Sequence, residues 1–262
     1  MRRAVTAVIY IITALIGVAA FAYPFILPGL VGENGDAHAA DAPVLTVILL
    51  VVGLAVLLVE VQGQAVSAKV VAALGVLVAV TAVLRFIEVF LPVPGGFSPI
   101  FVPIILAGYV FGPRFGFLLG TMAMLVSALV TGMVGPWLPY QMFTAGWVGL
   151  TAGWLPHLRS QRSQIALLAA FGIVWGMLFG AIMNLYFWPF VTDGSVNSWQ
   201  LGAGWRDGLS RYAAFYLVTS LIWDIGRAGG NAVFIVALGA PTVRALTRFR
   251  NRFQFQMMNA EG

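Results

Sequence analysis

The amino-acid sequence predicts an all-α, polytopic membrane protein, and three observations carry that expectation. Of 262 residues, 61% are hydrophobic and 9% charged, against about 45–50% and about 25% in an ordinary soluble domain. A water-soluble fold of this size could not cover so much apolar surface, and lipid leaves only helices or closed barrels able to satisfy their own backbone groups. The apolar runs are continuous and of the order of 20 residues, as membrane helices require, where a barrel would show about 10-residue stretches of alternating polarity. Finally, most Lys and Arg residues stand at the ends of these runs, which is the pattern of a positive-inside bias.

Eight apolar segments follow along the chain, at 4–30, 43–61, 69–91, 99–111, 114–133, 141–156, 164–190 and 211–240. The fourth is short for a full span, so it is expected either tilted poorly into the bilayer or packed inside the bundle. With the N-terminus placed in the cytoplasm by Arg2 and Arg3, alternation of sides puts ten of the 14 basic residues inside: Arg2, Arg3, Lys69, Arg114, Arg159, Arg162, Arg244, Arg248, Arg250 and Arg252. The outward loops, 31–42 and 191–210, then receive Glu33, Asp36, Asp41, Asp193 and Asp207, with only Arg206 and Arg211 as basic residues near that boundary. Both termini fall on the cytoplasmic side of the cell membrane. One missing helix would invert every later loop, so this consistency supports the count of eight.

The polar loops at 31–42 and 62–68 divide the chain into two N-terminal transmembrane helices (1–66), a six-helix core (67–245) and a basic cytoplasmic tail (246–262). The first run has a rival reading as a signal peptide, given Arg2 and Arg3 before it and Ala37-His38-Ala39 after it. Against this, Val5 to Tyr23 is long for such a segment, and the small residues lie well beyond it. Whether residues 1–30 are retained stays open at this point.

Several chemistries are excluded. The chain has no cysteine, hence no thiol nucleophile, disulfide or thiolate metal site. His38 and His157 both fall in loops, which is poor support for an imidazole site, and no cofactor is expected. The net charge of +5 is spread over helix ends and not gathered on a polar domain, as nucleic-acid binding would require. No Gly-x-Ser-Gly, His-Glu-x-x-His or dense carboxylate cluster points to an intramembrane enzyme. The chain is read as a non-enzyme.

The core has a particular order of features. After Lys69 comes a helix ending in Arg85 and Glu88, a loop with Pro92, Pro94, Gly95 and Gly96, the short helix, and then Gly108-Tyr109-Val110-Phe111-Gly112-Pro113-Arg114-Phe115-Gly116. A further helix closes on Gly135-Pro136-Trp137-Leu138-Pro139-Tyr140-Gln141-Met142, followed by Gly146, Gly149 and Gly153. This order, over roughly residues 67–250, resembles the substrate-specific (S) component of energy-coupling factor (ECF) vitamin transporters, most specifically between Gly108 and Gly153. The two extra N-terminal helices depart from the six-helix plan of that family. The resemblance implies a protein that binds one vitamin-like micronutrient near the outer surface. It implies no ATPase in the chain itself, docking onto a transmembrane coupling protein with two cytoplasmic ATPases, and toppling in the bilayer to release the nutrient inside.

Candidate residues follow, each with a plainer alternative. Ala68 and Ala72 match an Ala-x-x-x-Ala pattern that in the family contacts the coupling protein. Small residues four apart equally permit packing within the chain, as do the ladders Gly112/Gly116/Gly120 and Gly172/Gly176/Gly180. Arg85 and Glu88, three apart, can pair on one helix face and line a cavity, or anchor the helix by snorkelling. Asp224 and Arg227 repeat that spacing deeper in the membrane, as an internal ion pair or a gating element, with Asn231 extending the face. Trp137, Tyr140, Tyr186, Trp188 and Trp199 form an interfacial belt or the walls of a ligand pocket, for which Gln141, Asn184 and Arg211 would supply polar groups. The predicted substrate site is Arg85, Glu88, Trp137, Tyr140, Gln141 and Asn184. A stand-alone secondary transporter is the alternative, although no convincing internal repeat supports it.

Overall fold

The computed structural model describes residues 2–26, 44, 47, 48, 51, 68–90, 96–191, 194–200 and 202–258. The predicted span at 43–61 and the loops around it lie outside the described residues, apart from positions 44, 47, 48 and 51. The described chain is helical, with no strand among the described residues. Its helices are α1 (Arg2–Ile26), α2 (Ala68–Phe90), α3 (Phe101–Phe111), α4 (Pro113–Thr131), α5 (Leu138–Ala152), α6 (Gln161–Phe187), α7 (Trp205–Thr219) and α8 (Leu221–Met258), with a 3-10 turn at Trp188–Phe190.

Among the described residues, four stretches are long and apolar enough to cross a membrane: Val70–Phe90, Pro113–Thr131, Gln161–Phe190 and Leu221–Arg252. Val76, Val80 and Val83 of α2, Ile173 and Val174 of α6, and Val233 and Val236 of α8 are exposed. On a protein in water these rows would be a liability; toward lipid tails they carry no penalty. The short fourth segment is α3, and it packs inside the bundle. Nine of its 11 residues are buried, among α4, α5 and α8.

Glycine sets the closeness of that packing. A Cβ on Gly116 would collide with the Gly149 carbonyl, one on Gly120 with the Ala145 carbonyl, and one on Gly108 again with Gly149. Thus α3, α4 and α5 meet backbone to backbone. Gly112 ends α3 and precedes Pro113 at the first turn of α4, with φ +96°; the Gly-Pro pair reverses the chain where a side chain would be strained. The second ladder works at another interface. Gly172 faces Asn231 and Ile235, Gly176 faces Ala228, and Gly180 faces the Asp224 carboxylate, so α6 and α8 lie in close apposition.

The last predicted segment, 211–240, is two helices. They break at Ser220, whose φ of −127° and ψ of −26° depart from helical values. Side chains compete with the ladder there: Thr219 Oγ1 bonds back to the Phe215 carbonyl at 2.7 Å and Ser220 Oγ donates to Asn184 Oδ1 at 2.8 Å. Beyond it α8 runs 38 residues, about 57 Å at 1.5 Å per residue, through Pro241 and most of the segment expected as a tail.

The bundle has two chemically distinct ends. At one, Tyr109 accepts from Gln164 Nε2 at 2.9 Å and donates to the Pro156 carbonyl at 3.3 Å, while Arg250 donates to the Val110 carbonyl at 2.7 Å. This end carries Arg114, Arg159, Arg162, Arg244, Arg248, Arg250 and Arg252. The opposite end gathers the C-terminus of α2, the N-terminus of α3, the C-terminus of α6 and the start of α8.

Candidate functional site

The opposite end holds a continuous set of polar groups. On the last turn of α2, Arg85 pairs with Glu88 at 3.2 Å, each side chain 20% exposed. Ser98 Oγ donates to the other Glu88 oxygen at 2.8 Å, which ties α2 to the residues leading into α3. Three positions on, the ring of Phe101 lies 5.9 Å from the Arg227 guanidinium, and Phe179 of α6 lies 5.2 Å from it. Both fall within the range of a cation–π contact. Arg227 also donates to the Gly176 carbonyl at 3.3 Å and pairs with Asp224.

Asp224 is 1% exposed, and the absent side chain of Gly180 makes room for it. One turn toward the membrane boundary, Asn184 donates to Thr219 at 3.2 Å and accepts from Ser220. One turn below Arg227, Asn231 donates to the Gly172 carbonyl at 3.0 Å. Hence α6 offers Asn184 and then glycines at 180, 176 and 172, while the facing chain offers Ser220, Asp224, Arg227 and Asn231. The result is a polar seam about 16 Å long from Ser220 to Asn231. Asp224 Oδ2 and Asn231 Oδ1 are buried acceptors in it without a hydrogen-bond partner among the described residues. Tyr212 of α7 bonds to the Ala181 carbonyl beside the seam.

In charge, Arg85 is matched by Glu88 and Arg227 by Asp224, so the set is neutral overall. The first pair is partly open to solvent; in the second Asp224 is enclosed while Arg227 keeps some exposure. Ionised groups at such depth are tolerated when they are paired and face the protein interior.

The six sequence-predicted residues do not form one contact set. Arg85 and Glu88 are brought together, and Asn184 joins the seam. Tyr140, however, lies on the other side of α6. Its ring packs 4.9 Å from Phe21 of α1 and 4.8 Å from Tyr186, and its hydroxyl reaches the Ala20 carbonyl at 3.4 Å. It is fully buried. Trp137 is exposed and folds back over its own turn at Gly135, and Gln141 is half-buried beside it. The belt residues Trp188 and Trp199 meet at 5.0 Å, with Tyr212 5.1 Å from Trp188 and Phe25 5.1 Å from Trp199. They hold the 194–200 loop across this end of the bundle.

What sequence reasoning left out of the site is Asp224, Arg227, Ser98 and Ser220. The signal was present: two charged pairs at i, i+3 spacing, and a glycine ladder whose phase continues into Asn184.

Of the small residues on α2, Ala72, Gly75 and Ala79 are exposed, and a Cβ on Gly75 would meet nothing within 4 Å. Ala68 opens the helix; its side chain lies outside the described residues. No group of three or more His, Cys, Asp or Glu side chains suited to a metal occurs among the described residues.

Comparison with known proteins agrees with this architecture. No curated protein and no solved structure matches the chain. A family does: the substrate-specific component of the ECF transporter matches residues 69–239, which takes in α2 to α7, the seam and the exposed face of α2. A helical membrane bundle matched over about two thirds of its length by that family belongs to it, and the chain is a member of the ECF transporter substrate-specific components.

Proposed function

We propose that the chain captures a vitamin-like micronutrient at the outer face of the cytoplasmic membrane and delivers it for ATP-driven uptake by partner subunits. The observation that carries this reading is the gathering of Arg85, Glu88, Asn184 and the Asp224–Arg227 pair toward the end of the bundle opposite the basic cluster of Arg114, Arg159, Arg244 and Arg248. Under the positive-inside rule that end faces out. The half-open Arg85–Glu88 pair offers a donor and an acceptor at the mouth. Phe101 and Phe179 supply apolar walls below it, as small-molecule pockets use. As further ligand contacts we include Trp137 and Gln141 at the start of α5, and Tyr140, packed between α1 and Tyr186, as a support for that turn. No bond in the ligand needs to change. The exposed small-residue face of α2, beginning at Ala68 and Ala72, is the surface for a transmembrane coupling protein, which would bring two cytoplasmic ATPases.

The test is calorimetry with a panel of water-soluble vitamins on full-length protein in detergent, without partners, together with mass spectrometry of any small molecule that co-purifies. One vitamin should bind. Trp137→Ala or Gln141→Ala should weaken it by about 1–3 kcal/mol, the scale for losing an aromatic contact or leaving a polar group unpaired. Absence of binding across the panel and of any co-purifying nutrient would sink the reading. Unchanged affinity in both variants, with loss in Arg227→Met, would move the site from the α5 side into the seam.

A further inference from the structure

The basic end contains a groove that the nutrient site does not use. It has a volume of about 640 Å³ and is lined by Gln164 of α6 and by Pro241, Val243, Arg244, Thr247 and Arg248 of α8. Arg244 and Arg248, four apart, project from one side of α8. Neither has a carboxylate partner among the described residues. The sequence explains why: no Asp or Glu occurs between Glu88 and Asp193, or between Asp224 and Glu261. Arg250, by contrast, is committed to the Val110 carbonyl. One turn before the lining residue Gln164, α6 begins at Gln161, and its N-cap Ser160 makes no side-chain cap hydrogen bond.

Depth identifies the kind of anion. If the membrane-embedded part of α8 starts at Leu221, a hydrocarbon layer of about 30 Å is crossed in about 20 residues. That brings the chain to Pro241. The groove therefore begins where the hydrocarbon ends, with Pro241 and Val243 on the apolar side and the two guanidinium groups about one turn further out. Guanidinium forks match phosphate oxygens, and basic pockets between membrane helices at this level suit anionic headgroups.

We propose that this groove binds the phosphate of an anionic phospholipid headgroup, held by Arg244 and Arg248 with Thr247 and Gln164 as hydrogen-bonding neighbours. Native mass spectrometry of the full-length protein in neutral detergent tests it. Phosphatidylglycerol, phosphatidylcholine and inorganic phosphate are offered separately and in competition. Wild-type protein should retain phosphatidylglycerol in preference to phosphatidylcholine, and Arg244→Gln/Arg248→Gln should lower that retention by about 30-fold. Arg206→Gln, at the other end, should leave it unchanged. Should the double variant fail to fold, Thr247→Glu, which puts a carboxylate into the groove, should produce a similar loss. Equal retention in the folded double variant or in Thr247→Glu would overturn the proposal. Displacement of the lipid by an equal concentration of inorganic phosphate would overturn the headgroup assignment in favour of a soluble phosphate. Since the readout is lipid and not nutrient, the result stands apart from the proposed uptake function.

Discussion

The Asp224–Arg227 pair offers the sharpest test of how the seam is held together. Arg227→Met keeps much of the side-chain volume and removes the charge, leaving Asp224, 1% exposed, without its counter-ion. Breaking a buried pair from one side costs about 3–5 kcal/mol, because the remaining charge is stranded in a poor solvent. Loss of the contacts with Phe101 and Phe179 adds about 0.5–2 kcal/mol. Removing both charges, as in Asp224→Asn/Arg227→Met, should return much of that loss, since replacing both members of a buried pair is often close to neutral. Asp224→Asn alone should cost less than Arg227→Met, for it leaves a cation that is 16% exposed and still bonded to the Gly176 carbonyl. Reversible unfolding in mixed detergent micelles, run as a double-mutant cycle, reads all three differences. A cost below about 1 kcal/mol for Arg227→Met, or a double variant no better than it, would mean that Asp224 is solvated and that the argument from burial is wrong.

Other expectations follow from the same contacts. Gly180→Ala should destabilise by about 1–3 kcal/mol as its methyl meets the Asp224 carboxylate, whereas Gly229→Ala, with nothing within 4 Å, should stay within about 0.5 kcal/mol; equal effects in the same assay would remove the ladder from the account. Enlarging Ala68 and Ala72 together to leucine should abolish co-purification with a coupling protein while leaving nutrient binding intact, and an unchanged complex would make them ordinary surface. In this cysteine-free chain, single cysteines at positions 196 and 160 should react with impermeant thiol reagents on opposite sides of the membrane, 196 from outside. Outside labelling of 160 in intact cells would invert the topology.

Much of the architecture could be read from apolar run lengths because the bilayer imposes one length scale on every spanning helix. The short run at 99–111 is α3, and its length already excluded a full crossing; that it lies enclosed depends on Gly108, Gly116 and Gly149 meeting, which periodicity alone does not reveal. The break at Ser220 was hidden for a related reason. Hydropathy averages over the residues around it, while the break comes from Thr219 and Ser220 finding partners on α6, a tertiary event. Among site residues, Arg85–Glu88 was legible because i, i+3 pairing is local. The division between Asn184 and Tyr140 was not, because the two face opposite sides of α6, and which side meets which neighbour is decided by packing.

The N-terminal helix shows how far the core depends on what surrounds it. The family match begins at residue 69, yet α1 lies against α5. Gly17 seats against Phe143 and Trp147, and Tyr10 packs on Phe117 at 5.6 Å. Phe21 covers Tyr140, and Phe25 reaches Trp199. Without α1, Tyr140 would lose one of its two ring partners, Phe21, and the Ala20 carbonyl that its hydroxyl reaches. The start of α5, just after Trp137, would lose the packing that α1 supplies and keep that of α3, α4 and α6. The contacts of α1 thus add to the packing of the helix that carries Tyr140 and Gln141. These contacts come from residues that precede the family match, so the packing of α5 in this chain rests on more than the matched core.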